Sequence, residues 1–242
     1  MRIGVYGGSF NPPHLGHVVL AVEAREQLAL DRVLWVPAAR PPHKRTAAML
    51  PDEQRLALCE AAVADLDGVE VSAVEFEREG LSYTADTLQV LAGRYPDCEL
   101  YLLIGVDQAL VLRSWRDPET IDALAHVAVA GRDASGPAAG LEALRWLSRP
   151  AVGLDLPVVE LSSTLVRARR AAGRAWRHLV PAAVADLIDA WGVYGQPAHT
   201  ASRSCSPTCG CAACCSVSGS SSAGFSNEAT RTPMSLTGRG GS

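Results

Sequence analysis

Two histidines, His14 and His17, stand three positions apart in the segment GGSFNPPHLGH, and this spacing allows both to act on one ligand. A short apolar run at residues 3–6 precedes the segment and a helical pattern starts at Val18, which predicts a strand, a turn and a helix. Side chains three positions apart at a helix start project from the same side. The helix start supplies N–H donors, and turn glycines let the backbone approach a ligand closely; these are Gly7, Gly8 and Gly16. We therefore predict that this segment binds phosphate.

A second polar cluster, Ser162-Ser163-Thr164-Leu165-Val166-Arg167, follows an apolar run at Val158–Leu161 that we predict to be a strand. Hydroxyl side chains at a helix start accept hydrogen bonds from its first N–H groups, so this cluster could be no more than a helix cap. The hydroxyls, the free N–H groups and Arg167 could equally hold phosphates through charge-assisted contacts. Arg167 lies within the first turn of the predicted helix, and from these residues alone both readings stay open.

The elements that must position these residues alternate between short β-rich runs and longer helical patterns. The predicted strands are Ile3–Tyr6, Val33–Val36, Val69–Val74, Leu100–Ile104, Val127–Ala130 and Val158–Leu161. The predicted helices are Val18–Leu30, Glu53–Leu66, Ala85–Arg94, Pro118–Leu124, Leu141–Leu147, Thr164–Ala172 and Ala182–Trp191. This alternation predicts an α/β fold, a Rossmann-like doubly wound parallel sheet with helices on both faces. Ligands of such folds bind beyond the carboxyl ends of the strands, where the polar clusters fall.

Composition limits the possible partners of the chain. It has 242 residues, of which 48% are hydrophobic, and a net charge of −4, so it has no bulk attraction for nucleic acid or for an anionic membrane. No run of about 18 apolar residues exists, so no transmembrane helix is expected. The first strand starts at once and leaves no room for a signal peptide, so we expect a cytoplasmic protein.

The composition changes near the end of the chain. We expect a nucleotide-binding domain at residues 1–196 and a tail rich in Ser, Gly and Cys at residues 197–242, disordered because it lacks large apolar residues. Five of the seven cysteines lie in the tail, so a small metal module is the alternative. The other two are Cys59 and Cys98, which we expect to be reduced.

Two common nucleotide-binding classes are excluded by their motifs. A dinucleotide-dependent dehydrogenase needs G-x-G-x-x-G and an acidic residue after its second strand, whereas this chain has Tyr6-Gly7-Gly8-Ser9-Phe10-Asn11 and Trp35-Val36-Pro37 at these places. A P-loop enzyme needs G-x-x-x-x-G-K-S/T, which is absent from the sequence.

The segment Phe10-Asn11-Pro12 followed by His14-Leu15-Gly16-His17 resembles the nucleotidyltransferase superfamily, whose signature is a glycine-rich turn, Phe-Asp/Asn-Pro and His-x-Gly-His. Within that superfamily the chain, from Met1 to about Tyr194, resembles the nicotinate-nucleotide adenylyltransferases. The resemblance implies adenylyl transfer from ATP to nicotinate mononucleotide, which gives deamido-NAD and pyrophosphate in NAD biosynthesis. Mg²⁺ is expected to arrive with ATP, held largely by phosphates and water, and no residue set outside the tail suggests a protein-bound metal.

The resemblance also assigns site residues. The implied catalytic residues are His14, His17, Lys44 and Arg167. The implied ATP-binding residues are Gly7, Gly8, Ser9, Phe10, His14, His17, Asp107, Ser162, Ser163, Thr164 and Arg167. The implied residues for nicotinate mononucleotide are Asn11, Lys44, Ser82, Tyr83, Thr84 and Trp115.

Several of these assignments have particular grounds. Lys44, the only lysine of the chain, lies in a Pro-Pro-His-Lys loop of the family type, and Asn11 stands where the family commonly carries aspartate. Thr84 is expected to cap a helix whose N–H groups bind the pyridine carboxylate. Trp115 is expected to stack on the pyridine ring. Asp107 matches a position near the ATP ribose, with a helix cap as the alternative reading.

Three alternatives stay open at this point. The acceptor could be nicotinamide mononucleotide, which differs from nicotinate mononucleotide by one group. It could be phosphopantetheine, although enzymes for that acceptor usually carry threonine in place of the first histidine, His14 here. A non-catalytic sensor on the same fold would bind ATP without turnover. The chain could act as a monomer or as a homo-oligomer.

Overall fold

The computed structural model describes residues 1–41, 49–131 and 136–195 of the chain. Its strands are β1 (Arg2–Gly8), β2 (Arg32–Pro37), β3 (Val69–Val71), β4 (Glu99–Gly105), β5 (Ala125–Ala130) and β6 (Val152–Leu154). Its helices are α1 (Leu15–Gln27), α2 (Asp52–Val63), α3 (Thr84–Arg94), α4 (Val106–Ala109), α5 (Pro118–Leu124), α6 (Ala138–Ala143), α7 (Ser163–Ala171) and α8 (Ala182–Trp191). Short 3₁₀ turns at Leu112–Ser114 and Arg177–Leu179 join some of them.

The six strands form one sheet in the order β3-β2-β1-β4-β5-β6, and every neighbouring pair is parallel. The chain winds outward from β1 through β2 and β3, then returns to the centre and winds the other way from β4. The reversal between β1 and β4 is the place where open parallel sheets bind ligands, beyond the carboxyl ends of the strands. The predicted doubly wound, Rossmann-like sheet is confirmed.

Each face of the sheet has its own buried core under a layer of helices. Alternate residues of β1 face opposite sides: Tyr6 packs with α1, α2 and α8, whereas Ile3 and Val5 pack with α3 and α5. This arrangement explains why the strands read as continuous apolar runs, because parallel strands in such sheets are buried on both faces. No helix in the described ranges is both long enough and apolar enough to cross a membrane.

The predicted sixth strand was wrong. Residues 158–161 are not a strand, and Val158 is exposed; β6 is instead the three-residue Val152–Leu154, which pairs with β5. Pro157 has no N–H to donate to a ladder, which disfavours pairing at this position. Glycine is rare in strands, so Gly153 makes β6 hard to predict from the sequence. Glycine is nevertheless required at this position, because a Cβ would lie 2.8 Å from Cγ of Pro137.

Several predicted element boundaries also differ. Pro118–Leu124 and Ala182–Trp191 are helices over the predicted residues, but α1 starts three residues before Val18, because the histidine segment itself begins the helix. The helix predicted at Leu141–Leu147 lies at Ala138–Ala143, and β3 ends at Val71 rather than at Val74. The short helix α4, which follows β4 directly, was not predicted, because four residues show no helical periodicity.

A charged cluster occupies the amino ends of β4 and β5, at the edge opposite the predicted site. His126 stacks on Tyr101 with ring centroids 4.9 Å apart, and its Nε2 lies 3.2 Å from Nη1 of Arg149. Partial burial and the positive charge of Arg149 lower the pKa of His126, with a smaller contribution from Arg2 and against the opposing effect of Glu99. Folding therefore favours the neutral form of His126.

This cluster predicts a pH-dependent stability. The ordinary pKa of histidine is about 6.5, so below this pH the unfolded chain binds a proton at His126 more readily than the folded chain does. The free energy of unfolding should therefore fall as the pH is lowered from about 6.5 toward the folded-state pKa, and should be independent of this group at higher pH. Urea titrations from pH 5 to 8 should show that the free energy of unfolding of His126→Gln depends less on pH than that of the parent protein. Parallel curves for the two proteins would contradict the prediction.

Candidate active site

The histidine pair lies at the start of α1, just beyond the carboxyl end of β1. His14 is the N-cap residue of α1 and is 3% exposed, and His17 follows in the first turn. The two imidazole rings stack with centroids 3.6 Å apart and planes inclined by 25°. The structure thus brings both side chains to one side of the helix start, at the edge of the sheet where ligands bind.

A backbone hydrogen bond determines which nitrogen of His17 carries the proton. The N–H of His14 donates to Nδ1 of His17 over 3.1 Å, so Nδ1 acts as an acceptor and carries no hydrogen. The neutral ring then has its proton on Nε2, which makes Nε2 the donor nitrogen. Phe10 packs edge-on against this ring at a centroid distance of 5.0 Å and restricts its orientation.

Two of the motif glycines are required by close contacts. A Cβ on Gly16 would lie 3.1 Å from Nδ1 of His14, and a Cβ on Gly8 would lie 2.9 Å from Cζ of Phe10. Glycine at these positions lets both rings lie directly against the backbone. Gly7 has open space beside it, since a Cβ there would meet nothing within 4 Å.

A buried arginine that the sequence analysis missed binds the turn between β1 and α1. Arg55 of α2 is fully buried and donates to the carbonyl oxygens of Ser9 at 3.4 Å, Ala38 at 2.5 Å and Ala39 at 3.3 Å. Its fourth partner is the carboxylate of Asp52 at 2.6 Å. Arg55 therefore joins the loops that follow β1 and β2, and its place on the apolar face of a helical pattern was the signal available in the sequence.

The serine-rich cluster contacts the same turn. The Ser163 hydroxyl donates to the carbonyl of Pro12 over 2.8 Å, and Nη1 of Arg167 donates to the carbonyl of Asn11 over 2.7 Å. The Ser162 hydroxyl accepts from the N–H of Leu165, so it serves as a helix cap as well as lying at the site. Thr164 accepts a hydrogen bond from Arg167 over 3.2 Å. The two predicted phosphate clusters, far apart in sequence, are thus brought together.

An apolar groove runs beside the first histidine, between α1 and the segment before α7. It is lined by His14, Gly16, Val19, Leu20, Gly131, Leu156, Pro157, Val159 and Leu161. Val159 and Leu161, from the segment predicted as a sixth strand, therefore line this groove instead.

The predicted acceptor residues lie at the start of α3 and at the loop after α4. Ser82 pairs with Arg40 through two hydrogen bonds of 3.0 Å, which joins it to the loop after β2. Tyr83, not Thr84, is the N-cap residue of α3, so the predicted cap was one residue off. The guanidinium of Arg116 lies 4.5 Å above the Tyr83 ring, which brings the half-buried Trp115 beside the start of α3.

Asp107 lies in the first turn of α4, at the carboxyl end of β4. Its side chain is exposed and accepts a hydrogen bond from Nε2 of Gln108 over 3.0 Å. The N-cap of α4 is Gly105, so the alternative reading of Asp107 as a helix cap was wrong. The carboxylate faces solvent at the sheet reversal, next to the strand that precedes the histidine turn.

Comparison with known proteins identifies the family. The family described as "Cytidylyltransferase-like" matches residues 5–169. A protein of Exiguobacterium sibiricum named "Probable nicotinate-nucleotide adenylyltransferase" is 40% identical over 197 residues, which cover 80% of this chain and 99% of the relative. A protein of the same name from Salinibacter ruber is 39% identical over 199 residues, which cover 80% of this chain and 98% of the relative. The chain belongs to the nicotinate-nucleotide adenylyltransferase family.

Solved structures of adenylyltransferases share the fold. The nicotinic acid mononucleotide adenylyltransferase of Plasmodium falciparum, complexed with NaAD, aligns with a TM-score of 0.67 at 16% identity. The alignment covers 80% of this chain and 97% of that one. A structure from Vibrio parahaemolyticus described as a "Putative Nicotinate-nucleotide Adenylyltransferase" aligns with a TM-score of 0.59 at 22% identity.

One site residue that the adenylyltransferase family implies, Lys44, falls outside the described ranges, and its role stays a prediction. The tail at residues 197–242 also lies outside them and stays a prediction. Within residues 1–41, 49–131 and 136–195, no three His, Cys, Asp or Glu side chains form a cluster that could hold a metal ion. Cys59 is buried beneath the site, and burial raises the pKa of its thiol, so it is a core residue and not a nucleophile.

Proposed function

We propose that the protein transfers the adenylyl group of ATP to nicotinate mononucleotide. An oxygen of the mononucleotide phosphate attacks the α-phosphorus of ATP. The bond from that phosphorus to the oxygen bridging to the β-phosphorus breaks, and pyrophosphate leaves with the electron pair. The products are nicotinate adenine dinucleotide (deamido-NAD) and pyrophosphate. Such a reaction needs positioning and charge neutralisation more than a protein nucleophile.

One observation carries this proposal: the stacked histidines and the start of α7 converge on the same turn beyond β1. Nε2 of His17 can donate to a phosphate oxygen, and Arg167 supplies a positive charge. The starts of α1 and α7 add backbone N–H groups and partial positive charge. Donors held in place before the reaction stabilise charge that shifts to the leaving pyrophosphate.

The other parts of the site suit the two nucleotides. Asp107, exposed in the first turn of α4, can accept hydrogen bonds from the ATP ribose. ATP enters as its magnesium complex, so Mg²⁺ is part of the substrate and is held mainly by phosphates and water. At the other side of the reversal, Tyr83, Trp115 and the start of α3 offer ring surfaces and N–H groups to a pyridine carboxylate.

Parallel kinetics with three acceptors tests the proposed function. Pyrophosphate release is measured with ATP, Mg²⁺ and one of nicotinate mononucleotide, nicotinamide mononucleotide or phosphopantetheine. We expect the highest kcat/KM with nicotinate mononucleotide. A higher value with either other acceptor would overturn the substrate assignment. Tight ATP binding without pyrophosphate release for any acceptor would indicate a nucleotide sensor.

Replacing Trp115 with alanine should weaken binding of the pyridine nucleotide. The Trp115 ring packs on the buried core of one sheet face, so its orientation is fixed, and a stacked ring contributes about 1 kcal/mol beyond its buried area. We expect KM for nicotinate mononucleotide to rise about fivefold or more, with KM for ATP unchanged. An unchanged KM for the mononucleotide would rule out stacking. Trp146→Phe, in the same core, is the control.

A further inference from the structure

Three buried aromatic rings form one group beside His17. Phe10 lies in the turn after β1, Tyr6 on β1 and Trp35 on β2, and their exposed fractions are 2%, 4% and 0%. Tyr6 and Trp35 are direct neighbours in the parallel ladder, so their side chains lie on the same face of the sheet. His17 itself is half-buried, so part of its imidazole is accessible. The imidazole therefore lies at the boundary between this aromatic group and the open edge of the sheet.

The Phe10 ring connects Trp35 to His17. It stacks on the Trp35 ring with centroids 4.8 Å apart and planes inclined by 4°, and it meets the His17 ring edge-on at 5.0 Å and 74°. The Trp35 ring is farther from the His17 ring, with centroids 6.1 Å apart. Tyr6 packs edge-on against both Phe10 at 5.5 Å and Trp35 at 5.8 Å. The indole therefore acts on the imidazole mainly through Phe10.

The backbone shows that Phe10 is held in this place by its surroundings. Its φ is 42°, in the left-handed region that a bulky residue adopts only when its environment imposes it. A Cβ on Gly8 would lie 2.9 Å from Cζ of Phe10, so glycine at position 8 leaves the room that the ring occupies. Aromatic pairs at such distances attract each other beyond the area that they bury. The stack on Trp35 is thus one of the contacts that keep Phe10 in its strained conformation.

Trp35 acts at this place through its ring. Its Nε1 is buried and has no hydrogen-bond partner among the residues that the structure describes. A phenylalanine at position 35 would keep an aromatic ring beside Phe10 and would break no hydrogen bond formed within those residues. The substitution Trp35→Phe therefore separates the effect of the stacked ring from that of the indole N–H.

The orientation of the imidazole decides where its donor nitrogen points. Nδ1 of His17 is held by the N–H of His14 over 3.1 Å, so a tilt of the ring about this contact moves Nε2 while Nδ1 stays in place. The edge-on contact with Phe10 opposes such a tilt. We propose that Trp35 is a positioning residue for the reaction: by stacking on Phe10, it keeps the His17 ring in the orientation that directs Nε2 to a phosphate oxygen. This inference rests on the proposed function, which makes His17 a phosphate donor.

The test is Trp35→Leu, which removes the stacked ring and keeps an apolar side chain. We expect kcat to fall about tenfold and both KM values to stay within about twofold, because displacing a preorganised donor affects the chemical step most. Trp35→Phe should retain kcat within about twofold, since a ring still stacks on Phe10. In the His17→Ala background, Trp35→Leu should lower kcat no further, because the donor that it positions is absent.

A merely structural tryptophan would give a different result. It would lower activity equally in the presence and absence of His17, and that outcome, or a parent-like kcat for Trp35→Leu, would overturn the inference. Leu103→Ala is the matched control: Leu103 is buried in the same core but lies on β4, which β1 separates from β2. This core truncation should lower the thermal unfolding temperature and leave kcat unchanged. If Trp35→Leu does not fold, Trp35→Met, which fills more of the space without a ring, replaces it with the same expected losses.

A second measurement does not depend on turnover. Nuclear Overhauser effects between the ring protons of Phe10 and His17 report the edge-on contact directly. They should weaken in Trp35→Leu and stay as in the parent protein in Trp35→Phe and Leu103→Ala; unchanged effects in Trp35→Leu would overturn the inference. If the parent protein turns over no acceptor, the proposed function fails, and these effects alone then decide whether Trp35 orients the His17 ring.

Discussion

Replacing His17 with alanine is expected to lower kcat by about 10²-fold or more, since removal of one preorganised donor costs this much in comparable sites. His17 is fixed by the His14 N–H on one side and by the Phe10 ring on another, so its donor is in place before substrate binds. The loss should fall on kcat more than on KM, because the developing charge on the leaving pyrophosphate needs the donor most.

The proton position makes this prediction sharper. Because Nδ1 of His17 accepts from the backbone, the donor is Nε2, whose position a glutamine amide can approach and an asparagine amide cannot reach. His17→Gln should therefore retain more activity than His17→Asn. Pyrophosphate release at saturating substrates measures both, and His178→Ala, at an exposed histidine, is the control. Greater activity in His17→Asn would show that the donor nitrogen of His17 is Nδ1 and not Nε2.

The sequence could predict the phosphate-binding parts because each is local. The spacing of His14 and His17 at a helix start determines that their rings meet, and a hydroxyl before a helical pattern determines a cap at Ser162. The alternation of strands and helices then predicts a doubly wound sheet, whose topology places strand ends together. Both clusters therefore fall at one edge.

The remaining features depend on contacts between distant parts of the chain. The residue types of Val158–Leu161 predict a strand, but pairing in a sheet also depends on the neighbouring strands. In the structure β5 pairs with Val152–Leu154 instead. The bond between Tyr194 and Asn11 joins residues that no local pattern relates. Arg55 stands on the apolar face of its helical pattern, but the carbonyls that it binds come together only when the loops after β1 and β2 fold over it. Local sequence patterns thus predict which residues form the phosphate-binding site, whereas contacts between distant parts of the chain determine how these residues are positioned.

Arg55→Met is the stability prediction with the largest expected effect. The methionine keeps much of the apolar stem but leaves the carbonyls of Ser9, Ala38 and Ala39 without their donor. A polar group left unsatisfied costs about 1–3 kcal/mol, and only part of this is recovered by water, because the arginine side chain is fully buried. Asp52 is 54% exposed, so its carboxylate is solvated in the variant and adds little to the loss.

We therefore expect Arg55→Met to lower the free energy of unfolding by about 3 kcal/mol. Arg32→Met is the matched control, since Arg32 makes one ion pair with Glu70 and both side chains are more than a third exposed, at 39% and 48%. Exposed pairs contribute about 0–1 kcal/mol, so the control should change little. Urea unfolding of the three proteins measures the difference. Equal losses in the two variants would mean that water replaces the buried guanidinium, and that the turn carrying the histidines is held by its own contacts with α7.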